Sequence, residues 1–156
     1  MQTNLENYGV TPVALENFNQ RGFEITFEVY NQIQDYKDEI VHDYLYTIGN
    51  EELYQSLKYH FDVIYSALFT NNLKILDEYI IWKYSYCFTR NIEVDYFLIE
   101  YNLWKQSILK YLYPSHSYEI NILYDYLIDN HANFKLKASS LKNIVTRVFN
   151  IINKLI

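Results

Sequence analysis

The histidines and carboxylates of this sequence are its first candidates for chemistry, and one pair of them has a spacing that metal sites use. Glu39 and His42 stand three residues apart, so both side chains project from one face of a helix. Carboxylate-bridged di-iron bundles use this Glu-x-x-His spacing, together with a second copy of it and two further helical glutamates. No second Glu-x-x-His occurs here. Glu39 and His42 are therefore candidate metal ligands, and a surface pair is the competing interpretation.

His60 is a further candidate because it lies in the middle of a predicted helix, between Tyr59 and Phe61. A helical histidine can ligate haem, or it can sense pH because its charge changes near neutrality. The competing interpretation is a histidine at the core boundary whose polar atoms are satisfied by neighbours. His131 is expected to end a helix, where a positive charge interacts favourably with the helix dipole.

Residue patterns typical of enzymes do not occur in the sequence. It has no glycine-rich phosphate loop, no Gly-x-Ser-x-Gly elbow and no His-Glu-x-x-His. The single cysteine, Cys87, stands in an aromatic run and is expected in the core. A lone cysteine also excludes an internal disulfide and a cysteine-based zinc site. The sequence therefore predicts no catalytic residues and no resident cofactor.

The scarcity of turn residues determines the expected fold class. The 156 residues suit one domain, half of them are hydrophobic, and only three are glycine and two are proline. Apolar positions recur at three- and four-residue steps, which predicts an all-α single-domain bundle of six or seven helices, with globin-like packing as the structural alternative. A polar stretch at 34–38 is expected to expose or bend the second helix. The predicted helices cover about 11–22, 23–47, 50–70, 73–88, 94–111, 117–130 and 140–156.

No membrane or export segment is predicted. Residues 1–10 are polar, lack the positive-then-apolar pattern of a secretory signal, and are expected to form a flexible arm before a helical domain at 11–156. No uncharged run of about 18 apolar residues occurs. Together with the single cysteine, these features predict a cytoplasmic protein with no membrane span.

Charge is distributed unevenly along the chain. Residues 1–130 hold nineteen acids and eight bases, a net charge of −11, whereas residues 131–156 hold five bases and no acid. Because an acidic body repels phosphate, nucleic acid is not an expected partner. The amphipathic helix at 140–156 needs burial against the body, a second copy or another protein. Its predicted interaction residues, which favour a homo-oligomer or a protein partner, are Leu141, Val145, Arg147, Val148, Phe149 and Ile152.

A recurrent bacterial pattern of aromatic and charged residues occupies the middle of the chain. Its members, in order, are His60, Ala67, Leu68, Tyr79, Trp82 and Arg90. With these residues the stretch 57–131 resembles helical-bundle sensory or regulatory modules that precede cobalamin-binding and other output domains in bacterial signalling proteins. The cobalamin-ligating Asp-x-His-x-x-Gly motif does not occur, and no output domain follows in this sequence. The resemblance therefore implies a helical regulatory module but not cobalamin binding.

The expected function follows from this resemblance and from the amphipathic last helix. We expect a non-catalytic sensory or regulatory module that acts by protein–protein interaction, alone or with a small ligand. Tyr79 and Trp82 share a helix face, so with His60 and Arg90 they are the ligand-binding candidates; a core role for the two aromatic residues is the competing interpretation. The alternative function is a haem- or metal-binding helical protein that uses His60 or His42.

Overall fold

The computed structural model describes residues 9–155, and these form helices joined by short loops, with no strand among them. The all-α class predicted from the sequence is confirmed. Residues 1–8 of the predicted arm, and Ile156, lie outside the described residues. The eight helices in the described range are α1 (Pro12–Gln20), α2 (Gly22–Asp35), α3 (Glu39–Ile48), α4 (Asn50–Phe69), α5 (Leu73–Thr89), α6 (Tyr96–Tyr111), α7 (Pro114–Asp129) and α8 (His131–Leu155).

The helix predicted at 23–47 is two helices, because the polar stretch at its middle divides it rather than bending it. Tyr36 and Asp38 both have extended backbone conformations. The Asp38 carboxylate accepts a hydrogen bond from the Ile40 N–H at 2.9 Å and so caps the start of α3. An aspartate side chain that satisfies a free N–H stabilises a new helix start at this position.

Two further helices begin earlier than the sequence predicts. α7 begins at Pro114 rather than near residue 117, because proline is well tolerated at the first helical position. α8 begins at His131 rather than near residue 140, so this histidine opens a helix instead of ending one. Phe134 and Ala138, four residues apart in the added part of α8, are fully or almost fully buried. Their burial explains why the helix extends back toward α7.

The core is centred on α6, whose inner face is fully buried along its length, with Phe97, Tyr101, Trp104 and Ile108 inaccessible to solvent. α2 and α7 pack on α6, while α1 packs on α7. α5 packs against α4 and most extensively against α8. No helix within residues 9–155 combines the length and the hydropathy that a membrane crossing requires.

A polar network fixes the first turns of α8 to the body of the protein. Nε2 of His131 lies 2.9 Å from the Asp95 carboxylate, which can only accept, and Nδ1 lies 2.7 Å from the Tyr84 hydroxyl. Lys135 donates to the same carboxylate at 3.0 Å. The hydrogen bond from His131, followed by that from Lys135, lowers the pKa of Asp95. These hydrogen bonds therefore tie the start of α8 to the loop that precedes α6.

Replacing Asp95 with asparagine should lower Tm at pH 7 by about 2–4 °C, the effect of losing about 1 kcal/mol in a chain of this size. Because the pKa of Asp95 is lowered in the folded state, its contribution is complete above the unfolded pKa of about 3.9 and is lost as the pH falls through the folded value. Thermal unfolding should therefore show a constant difference between about pH 7 and pH 5 that shrinks below pH 4.

Asp43→Asn is the matched control, because the Asp43 side chain is 77 % exposed and faces only the exposed His42. It should leave Tm within a degree of the wild type throughout. A difference between the wild type and Asp95→Asn that is unchanged at about pH 2.5 would contradict this role.

Candidate functional site

A cavity of about 360 Å³ opens between α3, α4, α5 and α6. We call it the tyrosine cavity, because tyrosine is the most frequent residue type in its wall. Polar groups are few and include Glu52, Gln55, Ser56 and Lys83. A largely apolar wall with a small number of polar groups is the usual composition of a small-molecule site. The aromatic lining residues are Tyr44, Tyr59, Tyr79, Trp82, Tyr86 and Phe97.

Three of these aromatic residues lie along one face of α5 because they are three and four residues apart. The ring centroids of Tyr79 and Trp82 are 6.4 Å apart, and those of Trp82 and Tyr86 are 6.0 Å apart, with both pairs near parallel. Tyr79 is buried, whereas Trp82 is 58 % exposed. The core interpretation therefore holds for Tyr79 but not for Trp82, which leaves much of its ring free beside the cavity.

An ion pair between α4 and the end of α5 lies at the rim of the tyrosine cavity. Nη1 of Arg90 lies 3.1 Å from Oε1 of Glu52, and the Tyr86 hydroxyl donates to the same oxygen at 3.2 Å. Arg90 also lies over the Tyr86 ring, 5.3 Å from its centroid. Of the ligand candidates named from the sequence, Tyr79 and Trp82 line the cavity and Arg90 lies at its rim, bound to a lining carboxylate.

The inner end of the cavity holds a buried ion pair that sequence reasoning missed. Lys83 and Glu100 are only 5 % and 2 % exposed, with 3.5 Å between Nζ and Oε1. The ammonium lies 4.1 Å from the centroid of the Phe97 ring. Burial lowers the pKa of Lys83, and the charge of Glu100 opposes this effect. Nζ has no hydrogen-bond partner within the described part of the chain.

A signal for this pair was present in the sequence. Lys83 follows Tyr79 by four residues and Glu100 follows Phe97 by three, so each charge stands on the apolar face of its own helix. Charged residues are almost never fully buried unless they are paired. Two opposite charges on the apolar faces of consecutive helices therefore indicate a buried pair, although the sequence does not show that the two faces meet.

His60 lies behind the tyrosine cavity rather than in its wall. Its ring is fully buried among aromatic neighbours, with the centroid of Trp104 at 5.1 Å and that of Tyr79 at 5.9 Å. Nε2 lies 3.1 Å from the Tyr124 hydroxyl, while Nδ1 has no partner among the described residues. Burial, followed by the charge of Lys83, lowers the pKa of His60 well below its ordinary value. The ring is therefore held neutral.

Glu39 and His42 lie on the outer surface of α3. The His42 side chain is 81 % exposed, and its nearest carboxylate is that of Asp43, with 3.9 Å between Nδ1 and Oδ1. Among the described residues, no group of three or more histidine, cysteine or acidic side chains is placed to hold a metal ion. The structure therefore does not bring these two candidates together with further ligands. Cys87 is buried, as the sequence predicts.

The second half of α8 presents an apolar face that no described residue covers. Lys142 is half-buried and donates to the Phe88 carbonyl at 3.1 Å. Every later residue of α8 whose exposure is described is exposed. Of the interaction residues predicted from the sequence, the side chains of Val145 and Phe149 lie outside the described part, and Arg147 is exposed. The exposed apolar side chains are Leu141, Ile144, Val148, Ile151, Ile152 and Leu155.

A second depression of about 450 Å³, which we call the α5–α8 groove, lies where this half of α8 leaves the body. Leu141, Lys142 and Thr146 form its α8 side. Trp82 and Tyr86 form part of its α5 side and also line the tyrosine cavity. The same two aromatic side chains thus separate the cavity from the exposed helix.

Lowering the pH should destabilise the protein through His60. The folded state keeps the ring neutral, whereas the unfolded chain takes up a proton near pH 6.5. The free energy of unfolding should therefore be largest above about pH 7 and fall below pH 6.5, by up to about 1.4 kcal/mol per pH unit from this residue. Urea unfolding from about pH 7.5 to pH 5 should show a smaller slope for His60→Gln.

The exposed His42 provides the control for this measurement, since His42→Gln should keep the wild-type slope. Equal slopes for the wild type and His60→Gln would show that His60 does not set the pH dependence.

Removing one member of the buried ion pair should lower the free energy of unfolding far more than removing both. Lys83→Met leaves the Glu100 carboxylate buried without its counter-charge, which should lower the free energy of unfolding by about 3–5 kcal/mol. Lys83→Met/Glu100→Gln removes both charges and should come within about 1–2 kcal/mol of the wild type. Urea unfolding measures both values.

Lys74→Met is the matched control for the lysine change, because Lys74 pairs with Glu78 on the surface, with side chains 82 % and 67 % exposed. Its effect should stay within about 0.5 kcal/mol. A double variant as unstable as Lys83→Met would contradict the assignment of the loss to an uncompensated charge.

Comparison of the chain with protein-family models, with curated proteins and with solved structures found no match in any of the three. The function of the chain is therefore inferred from its own residues. The features that bear on it are the tyrosine cavity, the buried ion pair at its inner end and the uncovered face of α8.

Proposed function

We propose that this chain is a non-catalytic regulatory module of the sensory type, which acts by protein–protein interaction through the exposed half of α8, and that its partner is a second copy of the chain. The observation that carries the proposal is the uncovered apolar face of α8. Proteins that act as monomers rarely expose a contiguous apolar patch larger than a few hundred Å², and larger patches mark interaction sites.

The spacing of the exposed residues supports docking against a folded surface. Ile144, Val148, Ile151 and Leu155 are four, three and four residues apart, so they form a single line along the helix. This line covers fewer than two heptads, whereas an isolated coiled coil needs about three to four. A larger partner surface is therefore needed to bury it.

Charge favours a second copy as that partner. Residues 131–156 hold five bases and no acid, and the rest of the chain has a net charge of −11. Two α8 helices lying side by side would bring like charges together, whereas α8 on the acidic body of another copy is complementary. In a twofold-symmetric dimer, α8 of each copy would dock on the body of the other copy. Two such contacts double the buried area toward the roughly 1,600 Å² of a stable interface.

A regulatory role is supported by the position of Trp82 and Tyr86. These side chains line both the tyrosine cavity and the α5–α8 groove. A ligand that moved them would alter the surface on which the exposed half of α8 begins. The resemblance of residues 57–131 to bacterial sensory modules favours the same role.

Two serines in the exposed line should abolish self-association without unfolding the chain. Val148 and Ile151 are 51 % and 59 % exposed, so Val148→Ser/Ile151→Ser removes apolar surface needed only for docking. Sedimentation of the full chain at about 10–100 µM should give twice the mass of one chain for the wild type and one chain for the variant. The dissociation constant should rise at least about 30-fold, since about 2–3 kcal/mol of apolar burial is lost.

Leu136→Ser is the matched control, because Leu136 is 67 % exposed on α8 but lies about 100° around the helix from this line. It should remain dimeric. Arg147→Glu/Lys154→Glu should weaken the dimer, and added salt should weaken the wild-type dimer. A wild type that is monomeric at 100 µM, or a dimer equally weakened by Leu136→Ser, would overturn the proposal of a second copy.

A further inference from the structure

We propose that the tyrosine cavity binds a planar aromatic carboxylate of one or two fused rings, with the ring against Trp82 and Tyr59 and the carboxylate on the ammonium of Lys83. This site does not require the dimer proposed above, because no α8 residue whose side chain is described lines the cavity. The size, wall and inner end of the cavity each restrict the ligand.

The size of the cavity limits the ligand to a small molecule. Its volume of about 360 Å³ is near the lower end of the roughly 300–1,000 Å³ typical of ligand pockets. Peptides and large cofactors are too big for this volume. One or two fused rings with a single short substituent suit it.

The wall of the cavity favours a flat ring. Six aromatic side chains line it, and aromatic pairs are most stable in offset-stacked or edge-to-face arrangements. Trp82 is 58 % exposed even though a large apolar surface gains from burial. A ligand ring between Trp82 and Tyr59 would cover that surface, since Tyr59 is also 56 % exposed and lines the same cavity.

The inner end of the cavity favours an anionic acceptor. Of the buried ion pair, Lys83 lines the cavity and Glu100 does not. The Lys83 ammonium has no hydrogen-bond partner among the described residues and is 3.5 Å from the nearest Glu100 oxygen. Its four-carbon stem lets the ammonium turn toward an acceptor. A carboxylate oxygen supplies that acceptor, and charge-assisted hydrogen bonds are about twice as strong as neutral ones.

The acidic side chain at the rim of the cavity does not disfavour a negatively charged ligand. Among the described residues, Glu52 is the only acidic one that lines the cavity, and its carboxylate already pairs with Arg90 and accepts from the Tyr86 hydroxyl. A ligand that carried an ammonium group would meet Lys83 instead. The site should therefore rank the same ring in the order carboxylate, neutral amide, ammonium.

Isothermal titration of the full chain with 2-naphthoate, 2-naphthamide and 2-naphthylmethylammonium tests this order, because the three probes share one ring system. We expect 2-naphthoate to bind at least about tenfold more tightly than the amide, and the ammonium to bind more weakly than either. In Lys83→Met/Glu100→Gln the affinity for 2-naphthoate should fall at least about tenfold, to that of the amide, while the affinity for the amide changes by less than about twofold.

Trp82→Ala provides a second variant that does not depend on the buried pair, since Trp82 is largely exposed. It should weaken 2-naphthoate and 2-naphthamide alike, by at least about fivefold, and keep the preference for the carboxylate. Val148→Ser/Ile151→Ser should bind 2-naphthoate as the wild type does, which separates this site from self-association.

Three results would overturn the proposal. They are equal affinities of the wild type for all three probes, a carboxylate preference that survives in Lys83→Met/Glu100→Gln, and no binding of any probe at millimolar concentration. Loss of 2-naphthoate binding in Val148→Ser/Ile151→Ser alone would place the site at the dimer interface and would equally contradict it.

Discussion

The ammonium of Lys83 and the carboxylate of Glu100 face each other in the aromatic core, each almost completely removed from water. Neither charge is stable there alone, since an unpaired buried ion costs several kcal/mol. The pair therefore ties α5 to α6, and the surrounding rings add to it, with Lys83 within 4.1–5.6 Å of the centroids of Phe97, Tyr79 and Tyr101. The same positive charge helps to keep the nearby His60 neutral.

An arrangement of this kind is an uncommon choice for stability, because apolar residues of similar volume often do as well or better. What the pair provides beyond stability is a lysine that lines a cavity and whose buried ammonium has no hydrogen-bond acceptor among the described residues. A buried polar group without a partner calls for an explanation, such as a functional role or a bound water or ion. The position of Lys83 gives the tyrosine cavity its chemical character, which a cavity lined only by aromatic residues would lack.

α8 combines two different environments in one continuous helix. Its first turns are bound through His131 and Lys135 to Asp95, and Phe134 and Ala138 are buried in the core. Its second half has an apolar face that no described residue covers. Trp82 and Tyr86 lie at the transition between the two parts. In the proposed regulatory role, a helix anchored at one end and uncovered at the other would carry a change at the cavity to the docking surface.

The sequence by itself determined the all-α class and most helix positions, because turn residues are scarce and apolar periodicity is a local property that short stretches of chain express directly. The proline and threonine at the start of α1 and the glycine between α3 and α4 act in the same local way, through a missing N–H, a capping oxygen and a positive φ. The apolar face of the last helix was also predicted from the spacing of neighbouring residues. Such features depend on neighbours within about four residues.

Tertiary structure decided what the charged and aromatic residues do. Lys83 and Glu100 are seventeen positions apart, and only the tertiary arrangement of α5 and α6 places them 3.5 Å from each other. His60 and Trp82 look like comparable candidates in the sequence, yet one is inaccessible and the other is 58 % exposed. The early start of α8 likewise depends on burial of Phe134 and Ala138 against α5. Burial and pairing are set by contacts between distant segments, so the local pattern that specifies a helix does not specify them.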